Sequence, residues 1–296
     1  MKIGIEGWRQ NAILWVLLFW YSLARLLQLF PEKVPGLLLV VSHVVPPALF
    51  ALIHGMRLYR SRAIWIFIAL CLGIGSFFES ISLRTGFPFG HYSFTDRMGP
   101  KAFQLPILLA LAYVGMGYLS WVVSLVGLKY QNGPLSGRRL FTLPLVASFV
   151  MTAWDLTMDP VWANIDRAWV WKDGGTYLGV PVSNFLGWFF TAYCFYQLFT
   201  LYVRNRPVVY GASPQFWNLA LLFYLTAAIG NLFVVVPASF GSMFMDATGR
   251  QWHYSTILWS SRLASIFLMA PLCIAAWLRG RQSPHPAQAG CPTSRF

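Results

Sequence analysis

Charge is what this chain has least of. Only 10% of its 296 residues are Asp, Glu, Lys or Arg, where a soluble domain carries about 25%. So few charged groups cannot cover a water-facing surface, and lipid is the natural solvent for such a composition. Acids are scarcer still, nine against 22 Lys and Arg, for a formal net charge of +13. That surplus forms no stripe of the kind that binds nucleic acid, because the basic residues are scattered between apolar runs. Cysteine is sparse as well. Cys71, Cys194, Cys273 and Cys291 show no CxxC spacing, which indicates neither a disulfide framework nor a zinc site. The five His form no HxxxH or HxxHH cluster. No GxGxxG follows a strand and no Walker A loop is present, so nicotinamide or flavin redox chemistry and ATP-driven transport are disfavoured. No metal and no cofactor is expected.

What is abundant is hydrophobicity: 57% of the residues, with 17% aromatic and 14 Trp. Eight apolar runs stand out, at approximately 12–30, 37–54, 63–83, 103–127, 139–158, 181–203, 216–239 and 256–278. Each is roughly 18–25 residues, enough for a helix to cross about 30 Å of hydrocarbon. They predict an all-α, polytopic transmembrane bundle over 1–280, with a disordered tail rich in Pro, Gln and Ser over 281–296. The first run lacks a small-residue cleavage site and reads as a true span. The loops between runs carry thirteen Lys and Arg on one side and seven on the other. That bias predicts both termini on the cytoplasmic side of the cell membrane.

The acids follow another logic. Glu79 and Asp155 fall inside predicted spans, and most of the others fall on the outer side. An ionised carboxylate at mid-membrane costs about 2.5–3.5 kcal/mol, and such groups are functional by default. Asp155 and Asp159, in Trp154-Asp155-Leu156-Thr157-Met158-Asp159-Pro160, are four apart and share one helix face. Pro160 disfavours helix at Asp159, which places the pair at a helix end. A structural reading makes them bonded partners of neighbouring helices or of Arg; likewise Glu79 could pair with Arg25 or Arg262, both inside spans. The loop 84–96, RTGFPFGHYSFTD, is irregular by its Gly and Pro yet so aromatic that it is expected to fold back over the bundle. His91, Tyr92 and Asp96 are its polar groups, and a lone His in a loop is ordinarily just exposed. Trp162, Trp169, Trp171, Tyr177 and Trp188 read as an interface belt or as faces that stabilise a cation. Asn184, at the start of the sixth run, could hold a carboxyl or a water.

Three blocks, RTGFPFGHYSFTDRMGPKAFQLPI (84–107), AWDLTMDPVW (153–162) and GTYLGVPVSNFLGW (175–188), resemble in content, order and spacing the membrane carotenoid hydratases of the CruF type. With the multispan layout the resemblance covers most of 60–280. It implies addition of water across the terminal double bond of an acyclic carotenoid ψ-end, giving a tertiary alcohol. The partners so implied are a lipid-soluble carotenoid, water, membrane lipid and other carotenoid-pathway enzymes. Shared motif positions include Arg84, Tyr92, Asp96, Trp154, Asp155, Asp159, Asn184 and Trp188, whereas His91 is a variable one.

The chemistry matches the residues. Protonating a trisubstituted alkene needs a carboxylic acid kept protonated, as in an apolar site beside a second carboxylate. Asp155 is therefore the expected proton donor, with Asp159, Asp96 and Glu79 completing the catalytic set. Arg84, His91, Tyr92, Trp154, Asn184 and Trp188 would line the substrate site. Two rival readings stay open. Asp155-x-x-x-Asp159 resembles half of the paired Asp motifs of membrane prenyltransferases, although a second Asp-rich motif is missing. A proton-coupled transporter would use Glu79 and Asp155 as coupling sites.

Overall fold

The computed structural model describes residues 2–59, 61–102, 105–205 and 213–281, with side chains from Asn11 onward. Apolar runs in lipid fold as helices because each backbone N–H and C=O must find its partner within the segment. The helices among the described residues are α1 (Lys2–Leu27), α2 (Gly36–Leu58), α3 (Ser61–Thr85), α4 (Ile107–Gly127), α5 (Arg139–Asn164), α6 (Val182–Val203), α7 (Pro214–Gly230), α8 (Tyr254–Ala264) and α9 (Ala270–Arg281). A π-helical turn, Ser265–Met269, joins α8 and α9 into one rod. Each predicted run overlaps one of these helices, although α4 begins only at Ile107 and the seventh run, drawn to 239, ends as helix at Phe233. Among the described residues, six are long and apolar enough to cross a membrane: α2, α3, α4, α5, α7 with its 3-10 extension to Phe233, and the α8–α9 rod. The protein is a membrane-embedded helical bundle. The described apolar part of α1, Asn11–Leu27, is shorter, and α6 stands outside the six. The tail expected to be disordered lies outside the described residues from 282 on.

α5 departs from expectation. Pro160 was to end it at Asp159, yet the helix runs through Pro160 to Asn164. The proline ring removes one N–H, whose acceptor would have been the carbonyl of Leu156. That carbonyl accepts instead from the Tyr177 hydroxyl at 3.4 Å. The Pro160 carbonyl accepts from the Asn164 amide at 3.0 Å. One tertiary donor, Tyr177, and one local side chain, Asn164, thus support the turn that proline weakens, and Asp155 and Asp159 stay on one continuous helical face.

α4 is the enclosed centre: 83% of its most apolar window is buried, against 28% for α3 and 22% for the α8–α9 rod. It packs on α2, α3, α5, α7 and α9. Among the described residues, three two-stranded antiparallel ribbons form in the connections: β1 (Tyr92–Phe94) with β4 (Trp169–Trp171), β2 (Lys101–Ala102) with β3 (Leu105–Pro106), and β5 (Met243–Met245) with β6 (Gln251–His253). These connections gather at one end of the bundle, where Gln28, Asp96, Asp166 and Val234 line a common cavity. In the β5–β6 turn, burial works against the charge of Asp246. Hydrogen bonds from Thr248, Trp252 and the Arg250 amide outweigh it and hold the carboxyl below its ordinary range.

The α2–α4 contact depends on a glycine. A Cβ at Gly115 would sit 2.8 Å from Pro47 Cβ and 2.9 Å from the Ala48 nitrogen, so backbone would have to move. Gly115→Ala is expected to destabilise the bundle by about 1–3 kcal/mol through overpacking, read as a lower unfolding midpoint in detergent micelles. An unchanged midpoint would show that α2 and α4 part freely.

Candidate active site

Three carboxyls and one amide lie buried under the β1–β4 ribbon: Asp155 is 0% exposed, Asp159 and Asn184 1%, and Glu79 5%. Asp155 and Asp159 come from α5, Glu79 from the last third of α3, and Asn184 from the first turn of α6. Helix periodicity aligns the Asp pair, and the extensive packing of α5 on α6 brings Asn184 to both. Its Nδ2 donates to Asp155 Oδ2 at 3.0 Å and to Asp159 Oδ2 at 2.9 Å.

The ribbon supplies the other donors. In its register Tyr92 faces Trp171 and Phe94 faces Trp169. Strand alternation turns these four rings inward and leaves Ser93 and Val170 exposed. Trp171 Nε1 donates to Asp159 Oδ1 at 3.1 Å, and Trp169 Nε1 to the same oxygen at 3.3 Å. The Tyr92 hydroxyl donates to Glu79 Oε2, and the Tyr113 hydroxyl of α4 donates to Glu79 Oε1 at 2.9 Å. The ribbon is anchored from below. Ser82 of α3 donates to the Gly90 carbonyl at 3.0 Å, and Ser183 donates to that of Phe89 at 2.9 Å. Gly90 takes φ +124°, a conformation that side chains rarely adopt, and so turns the chain into β1.

The partners seen for the three buried carboxyls are all neutral. The alternative pairing of Glu79 with Arg25 or Arg262 does not occur: Glu79 takes two tyrosines, Arg25 bonds Asn231 and the Ala227 carbonyl, and Arg262 bonds the Val234 carbonyl. Three ionised groups here would be three buried charges without a counter-ion, each costing several kcal/mol. Asp159 accepts three N–H bonds, as an ionised carboxylate does. Asp155 is different: its Oδ1 is buried and has no partner among the described residues.

Aromatic faces close the site. Trp188 stacks on Tyr113 at 4.4 Å and 14°, and Trp154 meets it edge-on at 5.9 Å and 80°. A cavity of about 20 Å³ lies among Glu79, Tyr92, Asp159, Trp171, Asn184 and Trp188. That is room for about one water molecule. No group of three His, Cys, Asp or Glu side chains suited to a metal occurs among the described residues.

Of the residues predicted for the site, the fold brings together Glu79, Tyr92, Trp154, Asp155, Asp159, Asn184 and Trp188. It does not bring in Asp96, which sits exposed in a 3-10 turn beyond β1 and pairs with Lys101 at 3.4 Å. His91 is exposed and bonds Asp173 at 2.7 Å, which ties the two loops at the surface. Arg84 is exposed at the end of α3. Sequence reasoning missed Tyr113, hidden in the apolar run of α4. It also missed the donor role of Trp169 and Trp171, for which the Trp-Val-Trp alternation was the available signal.

A family model for carotenoid biosynthesis proteins matches residues 36–247, well over half of the chain and the whole of this cluster. The chain belongs to that family. Comparison with curated proteins and with solved structures gave no match. Family membership gives the protein a role in carotenoid biosynthesis, and the carboxyl cluster lies wholly within the matched segment.

The shared amide is open to test. Asn184→Leu leaves two buried carboxyl oxygens without their donor. It should destabilise the protein by about 1–3 kcal/mol for each group left unsatisfied, seen as a lower unfolding midpoint. A midpoint equal to that of the wild type would show the amide to be dispensable.

Proposed function

We propose that this protein hydrates the terminal double bond of an acyclic carotenoid ψ-end. The observation that carries the reading is Asp155 Oδ1, a buried acid oxygen without a partner among the described residues, on a carboxyl that shares the Asn184 amide with Asp159. The Asp155 acid delivers its proton to the less substituted alkene carbon. The π electrons form the new C–H bond and leave a tertiary cation, which the aromatic faces stabilise. Water beside Asp159 attacks the cationic tertiary carbon and forms the C–O bond. Its surplus proton passes to the Asp159 carboxylate and returns to Asp155. The balance is one alkene and one water to one tertiary alcohol, and no redox step is involved.

A lipid-soluble substrate accords with a second small cavity. It lies between α3 and α4, is lined mainly by apolar side chains such as Leu72, Leu105, Pro106 and Leu109, and has Glu79 and Tyr113 at its inner wall. The cavity at the carboxyls is far smaller than an isoprene end group, so the ribbon and this cleft must open to admit one. Eight crossings with both termini cytoplasmic, in the cell membrane, complete the proposal. The excess of Lys and Arg on one set of loops supports that orientation.

Expression beside a pathway that ends in an acyclic ψ-end carotenoid is expected to yield pigment heavier by one water. Asp155→Asn should lower that product by about 10²-fold or more, the usual contribution of a general acid. Pigment without added water from the wild type would overturn the reaction, and undiminished product from Asp155→Asn would overturn the donor.

A further inference from the structure

The site cavity holds about one water, each turnover consumes one, and the carboxyls are sealed from the surface. Resupply therefore needs a route. We propose that water reaches the carboxyls through a polar passage between α5 and the α1–α2–α7 side of the bundle, separate from the apolar cleft between α3 and α4. This inference rests on the hydratase reading.

The passage begins at the loop end in a cavity of about 360 Å³, whose polar lining is Gln28, His43, Asp96, Arg97 and Asp166. A deeper cavity of about 20 Å³ shares His43 and Trp162 with it and adds Arg25, Asn231, Met158 and Trp154. The inner wall is the Trp154 indole, whose edge meets Trp188 on the site side. Trp154, Met158 and Trp162 are four apart and form one stripe along α5, next to the stripe that carries Asp155 and Asp159.

The lining is polar where hydrocarbon would be the economical choice. Arg25 and Asn231 are both 7% exposed. Arg25 donates to Asn231 Oδ1, and Asn231 Nδ2 donates to Thr157 Oγ1 at 3.1 Å and Ser265 Oγ at 2.8 Å. A basic group buried within a helical membrane bundle is rare and is a mark of pathways for polar species. His43 Nε2 toward the mouth and Asp155 Oδ1 at the site are both buried polar atoms without a partner among the described residues. Such atoms are the usual seats of ordered water. The cleft between α3 and α4 has the opposite character, so the two reactants approach one site from media that match them.

The test uses purified protein in lipid nanodiscs with an acyclic ψ-end carotenoid. Asn231→Leu places an apolar side chain across the passage. It is expected to lower kcat by about tenfold while the KM for the polyene stays within about twofold, and Asn231→Ser should recover most of that loss. A rise in KM at unchanged kcat would mean that the polyene occupies the passage, and equal loss in both variants would mean a structural role. Either outcome overturns the proposal. A second measurement needs neither turnover nor a variant. Radiolytic hydroxyl radicals label buried side chains that touch bound water. Met158, 4% exposed on the passage, should be oxidised in the wild type, and Met151, 0% exposed in the core, should not. An unlabelled Met158 means a dry passage and ends the proposal even if hydration is observed. Labelled Met158 with no hydrated product would instead retain the passage and refute the reaction.

Discussion

The hydrogen bonds from the ribbon into the helices link two events that could have been separate. Tyr92 reaches Glu79, and Trp169 and Trp171 reach Asp159. Covering the site and satisfying its carboxyls are therefore one step. In water an open ribbon would be harmless, because solvent would replace each donor. At this depth a departing donor leaves a buried acceptor unsatisfied, a penalty of about 1–3 kcal/mol each. The cover is held by the groups it protects.

The same constraint explains the choice of partners. A guanidinium beside Asp159 would fix a permanent ion pair and remove the carboxyl from proton traffic. Indole N–H, phenol and amide groups satisfy oxygen atoms without bringing a full charge. Arg25, a charge buried in α1, is kept on the far side of α5 and bonds Asn231 and a backbone carbonyl. Segregating cation from carboxyls leaves the acids chemically free.

Much of this was legible in the chain, for reasons that can be stated. Asp155 and Asp159 stand out because carboxylates are costly in apolar runs, and a spacing of four puts both on one face. Asn184 and the ring of Trp188 are marked by their place at the start of an apolar run. Tyr113 was not legible: within ILLALAYVGMGY a tyrosine reads as one more core ring, and only packing against α3 turns its hydroxyl to Glu79. The helix end at Pro160 was misread because the rule concerns the isolated backbone, while Tyr177 reaches the freed carbonyl from the following loop. Asp96 shares the loop of Tyr92, but β1 ends at Phe94 and the chain turns outward before reaching it.

The ribbon consists of three residue pairs. Side chains alternate along each strand, so a slip of one position would turn every side chain of the shifted strand to the other face. Either Tyr92 and Phe94 or Trp169 and Trp171 would then point outward, and Glu79 or Asp159 would lose its donors from the ribbon. Assembly of the chamber therefore resembles a latch rather than a hinge: it is seated in the one correct alignment or not engaged at all.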